Sequence, residues 1–267
     1  MQALRLVSYL ASNMADFYTA IGAAFSRACG LDYTFEQATL DPMDDPDLTA
    51  SHIDCAFICG LPFSRLASAH PGKFVILAAP VMELPRYEDS PVYFADMIVK
   101  SDSPIHSFAD LAGKTLCYNG RKSNSGYNLL RYQMLEWGLT APFFGRTFES
   151  GSHQQSIRLV VGGQADCSAV DSTVLEQEQH NSPELSEQLR VCASLGPSPM
   201  PPVVASTRLG NSVLACLQTA LVEPDSELRE AMQPVAVRRF TQMRPEDYAV
   251  LPEMEQIALR SGFAVIP

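Results

Sequence analysis

Residues 121–128 read RKSNSGYN and open a run whose apolar positions Leu130, Met134 and Trp137 fall at i, i+4 and i+7, one face of a helix. Ser123, Asn124, Ser125 and Gly126 therefore stand at a helix start, just after the β-rich run KTLCYN. A helix start carries N–H groups without intrahelical partners and the positive end of the helix dipole. Small residues that cap such a start also make a seat for an anion. Ser123 and Ser125 supply hydroxyls, the amides of Asn124 to Gly126 supply N–H donors, and Gly126 allows a ligand to approach closely. A capped helix and an anion seat share this geometry, and spacing alone leaves both readings open.

A second helix start repeats the chemistry. Gly151 and Ser152 precede the apolar face of Ile157, Val160 and Val161, with His153 in the first turn. The positive end of the dipole disfavours protonation there, so His153 reads either as a surface residue or as a neutral ring that donates to an anion. Asp171 follows the run ADCSAV at the carboxyl end of a strand, where α/β sheets place their ligand crevices; it reads equally well as a helix cap. The chain carries no G-x-S-x-G elbow, Walker A loop, G-x-G-x-x-G fingerprint or H-E-x-x-H, so catalytic residues, cofactor and metal are all expected to be none. Cys55 and Cys59 lack the second pair a zinc site needs, and LDPMDDPD reads as a solvated turn rather than a calcium loop.

The elements that must hold these residues alternate. Runs such as ALRLVSYL, IDCAFIC, FVILAAPV, VYFADMIVK, KTLCYN, ADCSAV and PPVVAS are separated by helical stretches at 14–28, 124–137, 155–161 and 212–221. This predicts an α/β fold with mostly parallel sheets flanked by helices. Proline-rich stretches at 83–91 and 194–204 mark crossings between lobes. Residues 1–90 with 203–267 are expected to form a discontinuous first lobe, and residues 91–202 a second lobe that carries the helix starts.

With 30 acidic against 19 basic residues the 267-residue chain has a net charge of -11, which argues against nucleic acid or anionic lipid as a partner. No apolar stretch is long enough to span a membrane, and the first residues lack the pattern of a signal peptide. The seven cysteines are scattered, mostly in apolar runs, and are expected to be buried reduced thiols rather than a disulfide framework.

Residues 93–139, followed by GSHQQSIRLVVGGQADCSAVDSTVLE, resemble the phosphonate/phosphate/phosphite-binding proteins of ABC transporters. The resemblance rests on an aromatic pair opening a strand, DSPIHSFADLAGK, the SNSG loop, and a G-x-H turn before ADCSAVD. IDCAFICGLPFSRL and PPVVAS resemble that family's first-lobe strand and return strand. It implies a two-lobed fold of the type II periplasmic-binding-protein kind, a small anionic ligand captured between the lobes, an ABC permease as partner and a periplasmic location. The thiols and the absence of an export signal point instead to the cytoplasm. By the same resemblance Ser123, Asn124 and Ser125 hold the phosphoryl oxygens, with Asn124 where the family has Thr, and His153 donates. Tyr93 and Tyr9 line the cleft, and Asp171 meets a cationic group of the ligand or helps the lobes close. Ser172 and Thr173 stand where an aminophosphonate binder carries a Glu, which weakens the case for an amine-bearing ligand. A cytosolic enzyme of the menaquinone- or thiamine-precursor type, or a cytosolic sensor, are the other readings of the same fold.

Overall fold

Apolar spacing explains the first turn of the chain. β1 (Leu4–Ser8) leads to α1 (Ala15–Cys29), which buries Phe17, Tyr18, Ile21, Ala24 and Phe25, the stripe of an amphipathic helix. The helix stops at Gly30, whose φ of 65° is a left-handed conformation that costs glycine little. The computed structural model describes residues 3–139 and 142–266. The chain continues through β2 (Tyr33–Gln37), α2 (Pro46–Thr49), β3 (Cys55–Phe57), α3 (Gly60–Ala69) and β4 (Phe74–Met82). There follow β5 (Val92–Lys100), β6 (Thr115–Tyr118), α4 (Leu129–Glu136), β7 (Arg146–Glu149), α5 (His153–Val161), β8 (Cys167–Asp171), α6 (Ser172–Asn181), α7 (Leu185–Gln188) and β9 (Leu189–Pro199). The last elements are β10 (Val203–Ser206), α8 (Asn211–Val222), α9 (Ser226–Met232), β11 (Val237–Thr241) and α10 (Val250–Arg260).

Two units result, Met1–Val92 with Pro199–Ala249, and Tyr93–Ser198 with Val250–Pro267. The end of the chain departs from the expected first lobe, which included all of 203–267. α10 packs on α4, Arg131 Nη1 donates to Ala264 O at 3.1 Å, and the amide of Ile266 donates to the Tyr127 hydroxyl at 3.1 Å. This third crossing, between Ala249 and Val250, has no proline-rich stretch to mark it.

The first unit's sheet has the order β11-β4-β10-β3-β1-β2 and the second unit's has β7-β6-β8-β5-β9. β1 runs parallel to β2 and β3, and β6 parallel to β7 and β8, as helix crossovers require. β10 is antiparallel to β3 and β4, β11 to β4, and β5 to β8, so both sheets are mixed. No crossover helix within its own unit precedes β5 or β10. The second core is built on Met97, Val99, Leu116, Leu130, Met134 and Cys167. Among the described residues no helix is long and apolar enough to cross a membrane.

The cysteines correct the expectation of reduced thiols. Cys29, the last residue of α1, is disulfide-bonded to Cys216 in α8, 187 positions away. Cys55, Cys117 and Cys167 are buried and outside any disulfide, and Cys59 and Cys192 are partly buried and outside any disulfide. Nothing local in the sequence marks the pair, because only the packing of α1 on α8 brings the two side chains together.

Candidate functional site

β6, β7 and β8 are adjacent and parallel, so their carboxyl ends lie on one edge of the second sheet. Each is followed by a helix start on that edge: Asn124 after β6, His153 after β7 and Ser172 after β8. β5 begins at the same edge, with Ala95 opposite Asp171. One edge thus gathers Tyr93, residues 123–126, His153 and Asp171.

The first start is a π-helical turn, Asn124–Asn128, that runs into α4. The amide of Asn128 donates to Ser123 O at 3.0 Å, an i to i−5 bond, where the sequence spacing predicts a regular helix. Ser123 caps the turn, its Oγ accepting from the Gly126 amide at 3.2 Å. Ser125 Oγ lies 3.1 Å from His153 Nε2, and Asn119 Nδ2 lies 3.2 Å from the same nitrogen. An amide nitrogen only donates, so Nε2 accepts and the ring proton sits on Nδ1. That Nδ1 is buried with no hydrogen-bond partner among the described residues. Burial lowers the ring's pKa to about 4, which keeps His153 neutral.

Gly126 makes room inside the protein. A Cβ there would overlap Asn119 Oδ1 and come within 3.3 Å of His153 Cε1. The missing side chain makes room for Asn119.

Asn124 is fully buried, and its side chain is fully engaged. Nδ2 donates to the Tyr93 hydroxyl at 2.7 Å and to Ser198 Oγ at 2.8 Å, while Oδ1 accepts from Asn128 Nδ2 at 3.1 Å. Both amide hydrogens are therefore spent inside the protein, and only the backbone N–H of Asn124 is left to face an oxyanion. This departs from the role implied by the resemblance, in which the side chain holds phosphoryl oxygens.

Asp171 caps α6, accepting at Oδ1 from the Thr173 amide at 2.9 Å and the Thr173 hydroxyl at 2.8 Å. Burial raises its pKa to about 6, the two Thr173 bonds pulling the other way. Tyr9 belongs to the first unit, where its hydroxyl donates to Asp45 Oδ2 at 2.6 Å. Burial and Asp45 raise the Tyr9 pKa, so it stays protonated.

Sequence reasoning missed Asn119, Asn128, Arg131 and Ser198. Asn124, Asn128 and Arg131 form a polar stripe at i, i+4 and i+7 on a helix face that is otherwise buried, and that spacing was the available signal. Ser198 gave none.

The sequence matches one protein family over residues 6–248: ABC transporter, phosphonate, periplasmic substrate-binding protein. No curated protein sequence matches the chain. Its fold is shared with a binding protein component of an ABC phosphonate transporter from Pseudomonas aeruginosa, at 17% identity and a TM-score of 0.83, covering 97% of this chain and 87% of that one. It is shared with PhnD1 from Prochlorococcus marinus, solved in complex with methylphosphonate, at 15% identity and a TM-score of 0.82, covering 98% of each chain. The periplasmic aliphatic sulphonate binding protein SsuA from Escherichia coli aligns at 15% identity and a TM-score of 0.63, covering 100% of this chain and 94% of that one. These are type II periplasmic binding proteins, and the mixed α/β fold described above is theirs.

Proposed function

We propose a ligand and a site for this chain, which belongs to the family of periplasmic substrate-binding proteins of phosphonate ABC transporters. It captures a small phosphorus oxyanion or organophosphonate at the strand-end edge of the second sheet and presents it to an ABC permease, without chemistry. The observation that carries this reading is the junction of the two helix starts through Ser125 and a neutral, buried His153. Unpartnered N–H groups of the first turns and the unpartnered Nδ1–H of His153 suit an acceptor-rich ligand, with Ser125 and Asn119 holding the ring through Nε2. A tetrahedral oxyanion offers several acceptor oxygens to these donors.

The methylphosphonate held by the Prochlorococcus relative supports the ligand class. The Cys29–Cys216 disulfide supports an oxidising compartment such as the periplasm, where such bonds persist. A binder rather than an enzyme is supported by His153, whose Nε2 is already occupied by Asn119 and Ser125 and is not exposed as a base.

The test is a thermal-shift and calorimetric titration of phosphate-free protein with phosphate, phosphite, methylphosphonate, 2-aminoethylphosphonate, sulfate and aromatic carboxylates. A ligand bound only by the folded chain raises its melting temperature with occupancy. A large shift from a phosphorus oxyanion is the expected result, and a shift from an aromatic acid alone would overturn the reading. Ser125→Ala should then weaken binding by about 1 to 3 kcal/mol, because the buried His153 ring loses a hydrogen-bond partner that orients it.

A further inference from the structure

Asn124 stands at the end of a chain of buried side chains whose direction is fixed from its far end. Arg131 Nη2 donates to Asn128 Oδ1 at 3.1 Å, and a guanidinium has no acceptor to offer. The other end of the Asn128 amide must therefore be Nδ2, which faces Leu251 O at 3.4 Å and Asn124 Oδ1 at 3.1 Å. A backbone carbonyl only accepts, so Leu251 enforces the same orientation independently. Asn124 in turn must present Nδ2 to Tyr93 and Ser198. Asn124, Asn128 and Arg131 are 0%, 1% and 4% exposed, so water does not compete for any link.

The consequence falls on the two hydroxyls. Each oxygen is an acceptor toward Asn124, and the Ser198 hydroxyl keeps its own proton to give elsewhere. Ser198 is 1% exposed, and among the described residues its Oγ meets Asn124 Nδ2 and no other hydrogen-bond partner. A buried hydroxyl donor left without an acceptor is costly unless something fills its place.

Resting on the oxyanion-binding reading above, we propose that Ser198 is a further ligand-contacting residue, donating to an oxygen of the bound anion. Asn128 and Arg131 are positioning residues: they touch no ligand and hold the Asn124 amide so that both hydroxyl oxygens accept from it, which leaves the Ser198 proton for the anion. Thr at position 124 has no second polar end and could not transmit this orientation. Asn124 transmits it and so sets Ser198 as a donor.

The test is calorimetric titration of wild type and variants with methylphosphonate and with inorganic phosphate. Ser198→Ala should weaken binding about tenfold or more while leaving the ligand-free melting temperature close to that of wild type. Asn128→Asp keeps shape and its bond from Arg131 but cannot donate to Asn124 Oδ1, so the Asn124 amide is free to turn; a similar loss is expected. In a Tyr93→Phe/Ser198→Ala background, Asn128→Asp should cost less than about threefold further, because its effect passes through those hydroxyls. A purely structural role for Asn128 would cost as much in either background and would overturn the relay. Wild-type affinity in Ser198→Ala would overturn the contact even if Asn128→Asp failed to fold. Should wild type bind neither anion, the relay falls together with the ligand reading. Should wild type bind while the variants match it, the relay alone falls.

Discussion

At the scale of single residues, the site joins two groups whose titrations oppose each other. His153 has a folded pKa of about 4, below the ordinary 6.5 of an imidazole. The unfolded ring takes up a proton first as pH falls, so the stability His153 gives above pH 6.5 is lost toward pH 4. Asp171 has a folded pKa of about 6, above the ordinary 3.8. Its burial is a cost at neutral pH that disappears as pH falls from about 6 toward 4. Each shift is worth about 3 kcal/mol, so the two nearly cancel in this window. His153→Gln should therefore gain stability relative to wild type between pH 6.5 and 4.5, and Asp171→Asn, which keeps the cap of α6, should lose it. Urea unfolding at several pH values reads both; variant profiles parallel to wild type would show that neither group is buried in its neutral form. Of this site, sequence marked the helix-start residues Ser125 and His153, because hydroxyls and a first-turn His signal themselves locally. Asn119 and Ser198 were illegible because their roles depend on partners 34 and 74 positions away.

At the scale of elements, legibility followed position in the sheet. The runs FVILAAPV and VYFADMIVK became β4 and β5, interior strands covered on both faces and so nearly continuous in apolar residues. The strands that escaped sequence reading, β2, β7, β9 and β11, are the four sheet edges. Edge strands carry polar and charged residues, as YTFEQ, RTFE and VRRFT do here, which weakens the alternation that reveals a strand. The edge strand β2 nevertheless depends on one small residue in α1. A Cβ at Gly22 would meet the Tyr33 ring at 2.5 and 2.6 Å and a Leu6 methyl at 3.2 Å. Gly22 thus sets how closely α1 approaches β1 and β2, and helix propensity, which favours Ala, is overridden by contact. Gly22→Ala should destabilise the protein by about 1 to 3 kcal/mol despite that propensity. An unchanged or raised urea midpoint would show that Tyr33 swings aside freely and that β2 is not held against the helix.

At the scale of the whole molecule, the chain leaves the first unit after Val92 and returns to it at Pro199, and the disulfide acts on that excursion. Cys29 is laid down before it and Cys216 after it, so the bond encloses all the residues between them in one loop. In the chain-entropy account, closing a loop of this length removes about 5 kcal/mol of conformational freedom from the unfolded state, more than a local bridge would. The bond stabilises the return of α8 to α1, and Arg27 from α1 ties in α9 through its ion pairs with Asp225 and Glu227. None of the site residues of the second unit takes part. Dithiothreitol should therefore lower the melting temperature of wild type by at least about 5 °C, and a Cys29→Ser/Cys216→Ser variant should show the same fall and no further response to reductant. Affinity for methylphosphonate at 25 °C should change less than about twofold in either case, well within the scatter expected of distant, independent sites. A wild-type melting temperature indifferent to reductant would mean the bond does not form. A large loss of affinity on reduction would mean the second unit's site depends on how the return segment is pinned, and the independence argued here would fail while the oxyanion reading stood.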